Sequence, residues 1–174
     1  MRKLKLEELG RLDLDQYRAA KKHPVVVVLD NIRSKNNVGA IFRTCDAFRV
    51  EELVLCGYTP APPHRDIAKT ALGADQSVAW RQETDALTAV QALKSRGYRI
   101  LSLEQTESST LLPSFVRTAS ERYVLVLGNE VDGVAQAIID QSEASLEIPQ
   151  FGTKHSLNVS VAAGIALFQL VCHA

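Results

Sequence analysis

Five consecutive apolar residues, four valines and a leucine at positions 25–29, form the segment that most limits how this chain can fold. Pro24 precedes the run and Asp30 follows it, so boundary residues stand at both ends. A strand whose side chains are all apolar is buried on both faces, which is typical of the parallel sheets of α/β proteins. We therefore expect residues 25–29 to form an inner strand of a parallel sheet.

Strand-like and helix-like segments alternate along the rest of the chain. Short apolar runs predict further strands over residues 53–56, 99–103, 123–127 and 146–148. Apolar residues at helical spacing predict helices over residues 38–48, 67–72, 84–95, 131–141 and 158–171. This alternation predicts an α/β fold with a mainly parallel sheet and helices on both faces.

Length and composition are those of one ordinary globular domain. The chain has 174 residues, of which 46% are hydrophobic and 23% charged. We expect a short basic extension over residues 1–22 and one domain over residues 23–174. The extension has no apolar stretch like that of a signal peptide, and no segment is long and apolar enough to span a membrane.

Cysteine and histidine usage excludes two kinds of site. The three cysteines are odd in number and lack C-x-x-C spacing, so we expect neither a disulfide framework nor a zinc site. The four histidines lack the spacing of metal ligands. The sequence therefore predicts a protein of a reducing compartment, the cytoplasm, that binds no metal and no membrane.

The formal net charge of zero conceals two unlike parts of the chain. Residues 1–69 contain 13 Lys and Arg against 9 Asp and Glu, whereas residues 70–174 contain 7 against 11. A neutral total argues against nucleic-acid binding, but a local basic surface attracts an anionic polymer without any net charge. The basic part fits either an RNA-facing surface or an ordinary solvated one, and charge alone does not decide between them.

Three polar clusters follow predicted strands, where the open sheets of α/β proteins bind their ligands. They cover residues 31–43, 127–133 and 148–158. In the first, Asn36 or Asn37 can cap the next helix, and Arg43 either contacts a phosphate or hydroxyl group or snorkels from a core helix. No glycine-rich nucleotide fingerprint or nucleophile elbow accompanies these clusters.

The second and third clusters also leave alternatives open. Glu130 is expected at a helix start, where its carboxylate either compensates the helix dipole or orients a polar substrate. In the third cluster, Ser156 or Asn158 is expected to cap a terminal helix rich in small residues. Small residues there indicate close approach of another element, within the chain or across a dimer.

In this order and at these positions, the three clusters resemble the motifs of the SpoU/TrmH branch of the SPOUT RNA methyltransferases. Residues 37–43 match the first motif, Asn-x-Gly-x-x-x-Arg, and residues 127–133 match the second. Residues 148–149 and 156–160 match the core of the third. One such motif is weak evidence, but three together are a specific signal that covers the chain from about residue 25 onward.

The resemblance implies a deep C-terminal trefoil knot, which is an exception to the rule that chains do not knot. It also implies that S-adenosylmethionine binds in the knot, held mostly by backbone groups. The implied cofactor-binding positions are Leu103, Glu104, Gly128, Ile148 and Leu157. Family members are homodimers whose active sites draw on both chains, so a homodimer is expected here.

The resemblance further implies methyl transfer to a ribose 2′-hydroxyl of tRNA or rRNA. Arg43 matches the family's catalytic arginine, which is often proposed as the base that activates the 2′-hydroxyl. A guanidinium is a poor base, so the alternative role is to bind the adjacent phosphate or to stabilise the developing alkoxide. Asn37 would hold Arg43 or the ribose in place. Glu130, Ser156 and Asn158 match the remaining polar positions that shape the site. Because no separate RNA-reading domain is recognised, we expect the catalytic dimer or a partner to recognise the RNA.

Two other functions remain to be weighed against this one. The first is a catalytically inactive RNA-binding or assembly protein on the same knotted scaffold. Four motif residues that would form a catalytic site disfavour it, because a protein that has lost its activity does not need to keep them: Asn37, Arg43, Glu130 and Asn158. The second is an unrelated small-molecule methyltransferase or nucleotide-binding enzyme, which the missing glycine fingerprints disfavour.

Overall fold

Parallel strands and α-helices alternate through residues 1–173, which are the residues that the computed structural model describes. The strands are β1 (His23–Asp30), β2 (Val50–Cys56), β3 (Trp80–Glu83), β4 (Tyr98–Leu103), β5 (Thr110–Leu111), β6 (Arg122–Leu127) and β7 (Ala144–Glu147). The helices are α1 (Leu14–Ala19), α2 (Lys35–Ala47), α3 (Arg65–Ala71), α4 (Ala74–Ser77), α5 (Ala86–Ser95), α6 (Gln136–Ile139) and α7 (Val159–Cys172). Short 3₁₀ turns occur at Leu6–Leu9 and Leu112–Ser114.

The valine-rich run is an inner strand of a parallel sheet, as predicted. The strands lie in the order β3-β2-β1-β6-β4-β7-β5, and every pairing is parallel. Val27 of β1 lies opposite Leu53 of β2 and Leu125 of β6. The residues from Val25 to Leu29 are at most 1% exposed. Burial on both faces explains why residues 25–29 of this strand are all apolar.

Helices cover both faces of the sheet, which confirms the predicted α/β architecture. One face packs Val25, Val27 and Leu29 against α2, α3, α4 and α7. The other packs Val26 and Val28 against α5 and α6. The alternate side chains of one strand thus enter two separate cores. The trefoil knot implied by the resemblance stays a prediction.

The helix predicted over residues 131–141 is wrong in its first half. Only Gln136–Ile139 is helical, and a tight turn precedes it. Asn129 and Gly133 exchange backbone hydrogen bonds of 3.0 and 2.9 Å, and Gly133 has a φ of +71°. This left-handed conformation, which glycine adopts readily, closes the turn and delays the helix.

The predicted basic extension, residues 1–22, is partly folded onto the domain. Tyr17 of α1 is buried, and the guanidinium of Arg18 donates to the carbonyl oxygen of Gln76 at 3.0 Å. Arg2 forms an ion pair with Glu8. Several of its positive charges therefore serve contacts within the chain. The boundary at residue 22 stays a prediction, and Ala174 lies outside the described residues. No helix within residues 1–173 is long and apolar enough to cross a membrane.

Candidate cofactor and RNA site

The loops after three neighbouring strands enclose a cavity of about 710 Å³. Strands β6, β4 and β7 are adjacent, so their carboxyl ends meet at the edge where α/β sheets bind ligands. All the residues expected to bind cofactor line this cavity: Leu103, Glu104, Gly128, Ile148 and Leu157. Their shared location agrees with that expectation, although their role as cofactor ligands stays a prediction.

Gly128 fixes one wall of the cavity, because the chain leaves β6 there and folds back closely on itself. A Cβ atom at this position would lie 2.1 Å from the carbonyl carbon of Gly133 and from the amide nitrogen of Val134. No side chain fits at that distance. The backbone of the second motif therefore adopts a conformation that only glycine permits at residue 128.

The carboxylate of Glu104 ties the end of β4 to the same turn. Its Oε2 accepts a hydrogen bond from the backbone N–H of Val134 at 3.0 Å, and its Oε1 accepts one from Gln105 at 2.8 Å. The resemblance implied that backbone groups at this strand end bind the cofactor, and it did not predict that the Glu104 side chain holds the turn. No local signal could reveal it, because Val134 is 30 residues away in the chain.

Glu130, Asn37 and Asn158 form a continuous chain of hydrogen bonds across the rim of the cavity. Asn37 Nδ2 donates to Glu130 Oε1 at 3.0 Å, and Asn158 Nδ2 donates to Asn37 Oδ1 at 3.1 Å. Glu130 also accepts from the backbone N–H groups of Arg33 at 2.9 Å and Ser34 at 3.0 Å. The structure thus joins one predicted residue from each of the three motifs.

Glu130 lies in the turn after β6, and the expectation that it begins a helix is wrong. Burial alone would raise the pKa of Glu130, but the N–H groups of Arg33 and Ser34 and the amide of Asn37 outweigh it. The pKa is therefore lower than the ordinary value of 4.5. A carboxylate that is ionised and already accepts three hydrogen bonds suits positioning better than proton transfer.

The start of α2 places Asn37 on the rim. Ser34 caps this helix, accepting from the N–H of Asn37 at 3.3 Å, so the predicted cap at Asn36 or Asn37 is wrong. Asn37 consequently lies in the first turn with its amide available to other loops. Gly39 serves packing, since a Cβ there would lie 2.0 Å from Oγ1 of Thr70 on α3.

The third motif enters α7 through Ser156 and Asn158. Asn158 Oδ1 accepts from the N–H of Ser160 at 2.9 Å and caps the helix, which confirms one of the two predicted caps. Ser156 lines the cavity and its side chain is exposed. The side-chain amide of Asn158 therefore makes two kinds of contact. Its oxygen caps α7, and its nitrogen donates a hydrogen bond to Asn37.

Arg43 does not line this cavity. It lies further along α2, is exposed, and borders a separate groove of about 870 Å³ between α2 and α7. Gly164, Ile165 and Phe168 of α7 form the opposite wall of this groove. Within one chain, the structure groups the other four predicted polar residues around the cavity and leaves Arg43 outside it.

Two buried polar residues without an assigned role brace the same edge of the sheet. Asn129 is 7% exposed, and its Nδ2 donates to the carbonyl oxygen of Asn31 at 2.7 Å and to the hydroxyl of Tyr58 at 2.6 Å. Asp30 is 4% exposed and accepts from the N–H of Ala135 at 3.3 Å. Burial raises the pKa of Asp30. The sequence signal for these two residues was their position at or just after the carboxyl end of a strand.

The cavity suits an organic cofactor. Its volume lies within the range of roughly 300–1,000 Å³ that is usual for small-molecule pockets. Apolar side chains, including Leu146 and Ala162, stand beside backbone groups of the three loops. Among residues 1–173, no group of three or more His, Cys, Asp and Glu side chains is arranged to hold a metal ion.

Comparison with known proteins decides the family. The sequence profile of the SpoU rRNA Methylase family matches residues 24–168. The chain belongs to the SpoU rRNA methylase family. This confirms the resemblance inferred from the three motifs, and it places all three of them within the matched SpoU region.

Relatives and solved structures agree with the SpoU assignment. The chain is 30% identical to the 23S rRNA (guanosine-2′-O-)-methyltransferase RlmB of Vibrio cholerae over 94% of this chain and 65% of that protein. The crystal structure of the TrmH/SpoU tRNA modifying enzyme of A. aeolicus superposes with a TM-score of 0.81 at 27% identity, covering 92% of this chain and 81% of that one. The AdoMet-bound rRNA methyltransferase of Sinorhizobium meliloti gives 0.81 at 25% identity, covering 90% and 60%.

The SpoU chain spans only part of the length of these curated relatives. It spans 65% of the Vibrio cholerae enzyme and 56% of the corresponding enzyme of Neisseria meningitidis. The matched part contains the whole cavity and the three motifs.

Proposed function

We propose that this SpoU-family chain transfers a methyl group from S-adenosylmethionine to a ribose 2′-hydroxyl of tRNA or rRNA. The observation that carries the proposal is the cavity lined by the second and third motifs, with Asn37 of the first bonded to its rim. Relatives named as rRNA 2′-O-methyltransferases and an AdoMet-bound structural neighbour support the reaction and the cofactor. We place the reaction in the cytoplasm.

The residues of the cavity fit S-adenosylmethionine. Backbone groups of Leu103, Gly128, Ile148 and Leu157 would hold it, and Glu104 fixes the wall beside them. When bound, the cofactor supplies an electrophilic methyl carbon on a sulfonium, and the protein supplies orientation. Hydrogen bonds between Asn129 and Gly133, and from Val134 to Glu104, hold the backbone close to Gly128, so we expect this wall to need little reorganisation on binding.

Arg43 would act on the RNA as a fixed positive charge. A guanidinium stays protonated at neutral pH and is a poor proton acceptor. It would bind the phosphate beside the target ribose or stabilise the alkoxide that develops as the 2′-hydroxyl attacks. Because Arg43 borders the groove between α2 and α7 instead of the cavity of its own chain, this role requires a second subunit.

A homodimer that covers α7 supplies that subunit. Val161, Ile165 and Phe168 of this helix are 51%, 40% and 50% exposed, and the last two line the groove that contains Arg43. A contiguous exposed apolar face marks an interaction surface. In a two-fold dimer each copy would bury the other's α7 and bring its Arg43 to the partner cavity.

The test uses the purified protein, radiolabelled S-adenosylmethionine and total RNA, with 2′-O-methylnucleosides identified by mass spectrometry after digestion. We expect Arg43→Ala to lower kcat by about 100-fold or more, because charge stabilisation in the transition state is lost, while cofactor affinity is unchanged. Lys94→Ala, on α5, is the matched control and should retain activity. Cofactor and RNA binding without any transfer would favour the inactive RNA-binding alternative.

A further inference from the structure

A second cavity adjoins the cofactor cavity and combines one aromatic ring with two positive charges. It measures about 360 Å³ and is lined by Arg33, Lys35, Tyr58 and Pro60. None of these residues belongs to the predicted catalytic or cofactor-binding set. Tyr58 is 59% exposed, so its ring is accessible to a ligand.

Tyr58 is held at both ends, by its hydroxyl and by its backbone. Its hydroxyl accepts a hydrogen bond from Asn129 Nδ2 at 2.6 Å, and its backbone N–H donates to Asn31 Oδ1 at 3.2 Å. Asn31 has a φ of +56° and is itself held by Asn129. A Cβ at Gly57 would lie 2.0 Å from Asn31 Oδ1, so the loop fits closely. The exposed ring is a fixed platform.

Arg33 and Lys35 supply charge next to this platform. Both side chains are exposed, and within residues 1–173 neither forms an ion pair. The backbone N–H of Arg33 is bound by Glu130, which fixes the loop and leaves the guanidinium available. Cations beside an aromatic face are the combination that binds single-stranded nucleic acid, because the cations pair with the phosphate backbone and the aromatic ring stacks on a base.

The second cavity shares structural elements with the cofactor cavity. Asn129 and Glu130 line the cofactor cavity, and they hold Tyr58 and the backbone of Arg33 respectively. A nucleotide bound on Tyr58 would therefore lie close to one whose ribose is presented to the cofactor. The volume of about 360 Å³ falls at the lower end of the usual pocket range of roughly 300–1,000 Å³ and suits one nucleotide.

We propose that Tyr58, Arg33 and Lys35 form a subsite for an RNA nucleotide adjacent to the methylated one, with its base stacked on Tyr58 and its phosphate paired with Arg33 and Lys35. The inference rests on the proposed RNA methyltransferase function and adds to it the place where the substrate strand is held. The subsite recognises a base face and a phosphate, so it tolerates different base identities.

The stacking role is tested with Tyr58→Leu and Tyr58→Phe. Fluorescence anisotropy with a short labelled single-stranded RNA measures binding, and methyl transfer to total RNA gives KM and kcat. Loss of one stacked base is worth about 1–3 kcal/mol, so Tyr58→Leu should weaken RNA binding by roughly 5- to 150-fold. Tyr58→Phe keeps the ring and should remain within about threefold of the wild type, since it loses only one neutral hydrogen bond.

The charge role is tested by the salt dependence of RNA binding. Each phosphate contact to a single strand contributes about 0.7 to the slope of log K against log salt concentration, so the double variant Arg33→Ala/Lys35→Ala should reduce the slope by about 0.7–1.4. Tyr58→Leu should lower affinity without changing the slope, because it removes no charge. Lys94→Ala, which removes a cation from α5, should change neither quantity.

The inference and the proposed function fail in different ways. If wild-type protein binds RNA but transfers no methyl group, the proposed function is wrong, and the anisotropy series still decides the subsite. Equal RNA affinity of Tyr58→Leu and wild type would overturn the stacking role, as would an equal loss in Tyr58→Leu and Tyr58→Phe. An unchanged salt slope in the double variant, whose exposed side chains are not needed for folding, would overturn the phosphate contacts.

Discussion

The side-chain amide of Asn158 donates a hydrogen bond to Oδ1 of Asn37 at 3.1 Å, although the two residues are 121 positions apart in the chain. Asn37 in turn donates to Glu130, so the first turn of α2, the turn after β6 and the start of α7 are linked. These three segments, two helix starts and one turn, lie outside the sheet. The hydrogen bonds between their side chains therefore set their relative positions at the rim of the cofactor cavity.

Asn158→Ala should reduce both stability and activity. The substitution removes the cap of α7, which costs about 1 kcal/mol, and it removes the contact to Asn37. We expect the free energy of unfolding to fall by about that amount and methyl transfer to fall by about tenfold or more, because small misplacements of a substrate-positioning loop are costly. Denaturant titration and transfer assays measure the two effects.

Asp85→Ala is the matched control for the Asn158 prediction. Asp85 caps α5 by accepting from the N–H of Thr88 at 2.7 Å, and it does not line the cofactor cavity. It should lose a similar amount of stability and retain activity. If both variants lose activity equally, helix capping alone accounts for the effect and the link to Asn37 has no separate role.

Because hydrogen bonds stabilise the ionised carboxylate of Glu130, we expect the protein to lose stability in acid. Its folded-state pKa is lowered, so the carboxylate contributes stability that is fully present above the ordinary value of 4.5 and is lost as the pH falls through the lower, folded-state pKa. Glu130→Gln removes this contribution. The wild-type unfolding free energy should therefore fall more steeply than that of the variant as the pH is lowered below about 4.5. Parallel curves for the two proteins would show that Glu130 is not selectively stabilised as a carboxylate.

Gly128→Ala should disrupt the cofactor cavity. The added methyl group would lie 2.1 Å from backbone atoms of Gly133 and Val134, so the turn has to move at a cost of about 1–3 kcal/mol. We expect cofactor affinity, measured by calorimetry with S-adenosylmethionine, to fall more than about tenfold. Gly152→Ala is the control, because a Cβ there would meet nothing within 4 Å. Unchanged binding in Gly128→Ala would show that this wall does not hold the cofactor.

Much of the sheet could be predicted because its strands are buried. The β-branched and leucine-rich runs in β1, β4 and β6 have both faces covered, and burial leaves a continuous apolar signal. Strand β3 was not predicted, because Trp80–Glu83 contains three polar residues and is only partly buried. This segment is a strand because it pairs with β2. Strand β5 has two residues and carries no pattern at all.

The turn after β6 shows how a local apolar pattern misleads. Val131, Val134 and Ile138 have helical spacing, which favoured a helix from residue 131. In the structure Asn129 Oδ1 accepts from the N–H of Val131 at 2.8 Å, and Gly133 adopts a φ of +71°, and this left-handed turn competes with continuation of a helix from residue 131. That competition cannot be recognised from periodicity.

Pairings between distant loops were also beyond sequence reasoning. The three motifs could be placed at strand ends, and their residues do meet there. Which atoms pair was not predictable, because the N–H of Arg33 and the carboxylate of Glu130 lie 97 residues apart. Nor does any pattern show that Arg43, in the same motif as Asn37, faces a different groove.

Subunit complementation tests whether Arg43 acts across a dimer. Arg43→Ala and Gly128→Ala should each have little activity alone, at a cofactor concentration that saturates only the wild-type cavity. When the two are mixed and allowed to re-associate at random, half of the dimers are mixed and each contains one intact site, so activity should recover to about a quarter of the wild-type value. No recovery, with mixed dimers demonstrated by native mass spectrometry, would place Arg43 and the cavity of the same chain in one site.

The most direct test of the central claim is a quantitative map of 2′-O-methylated nucleotides in RNA from cells with and without this protein. We predict that at least one tRNA or rRNA position is methylated only when the protein is present. Purified wild-type protein with S-adenosylmethionine should restore that methyl group on the unmodified RNA, and the Arg43→Ala variant should not. Identical 2′-O-methylation maps in the two RNA samples, together with no methyl transfer by the purified protein, would contradict the account.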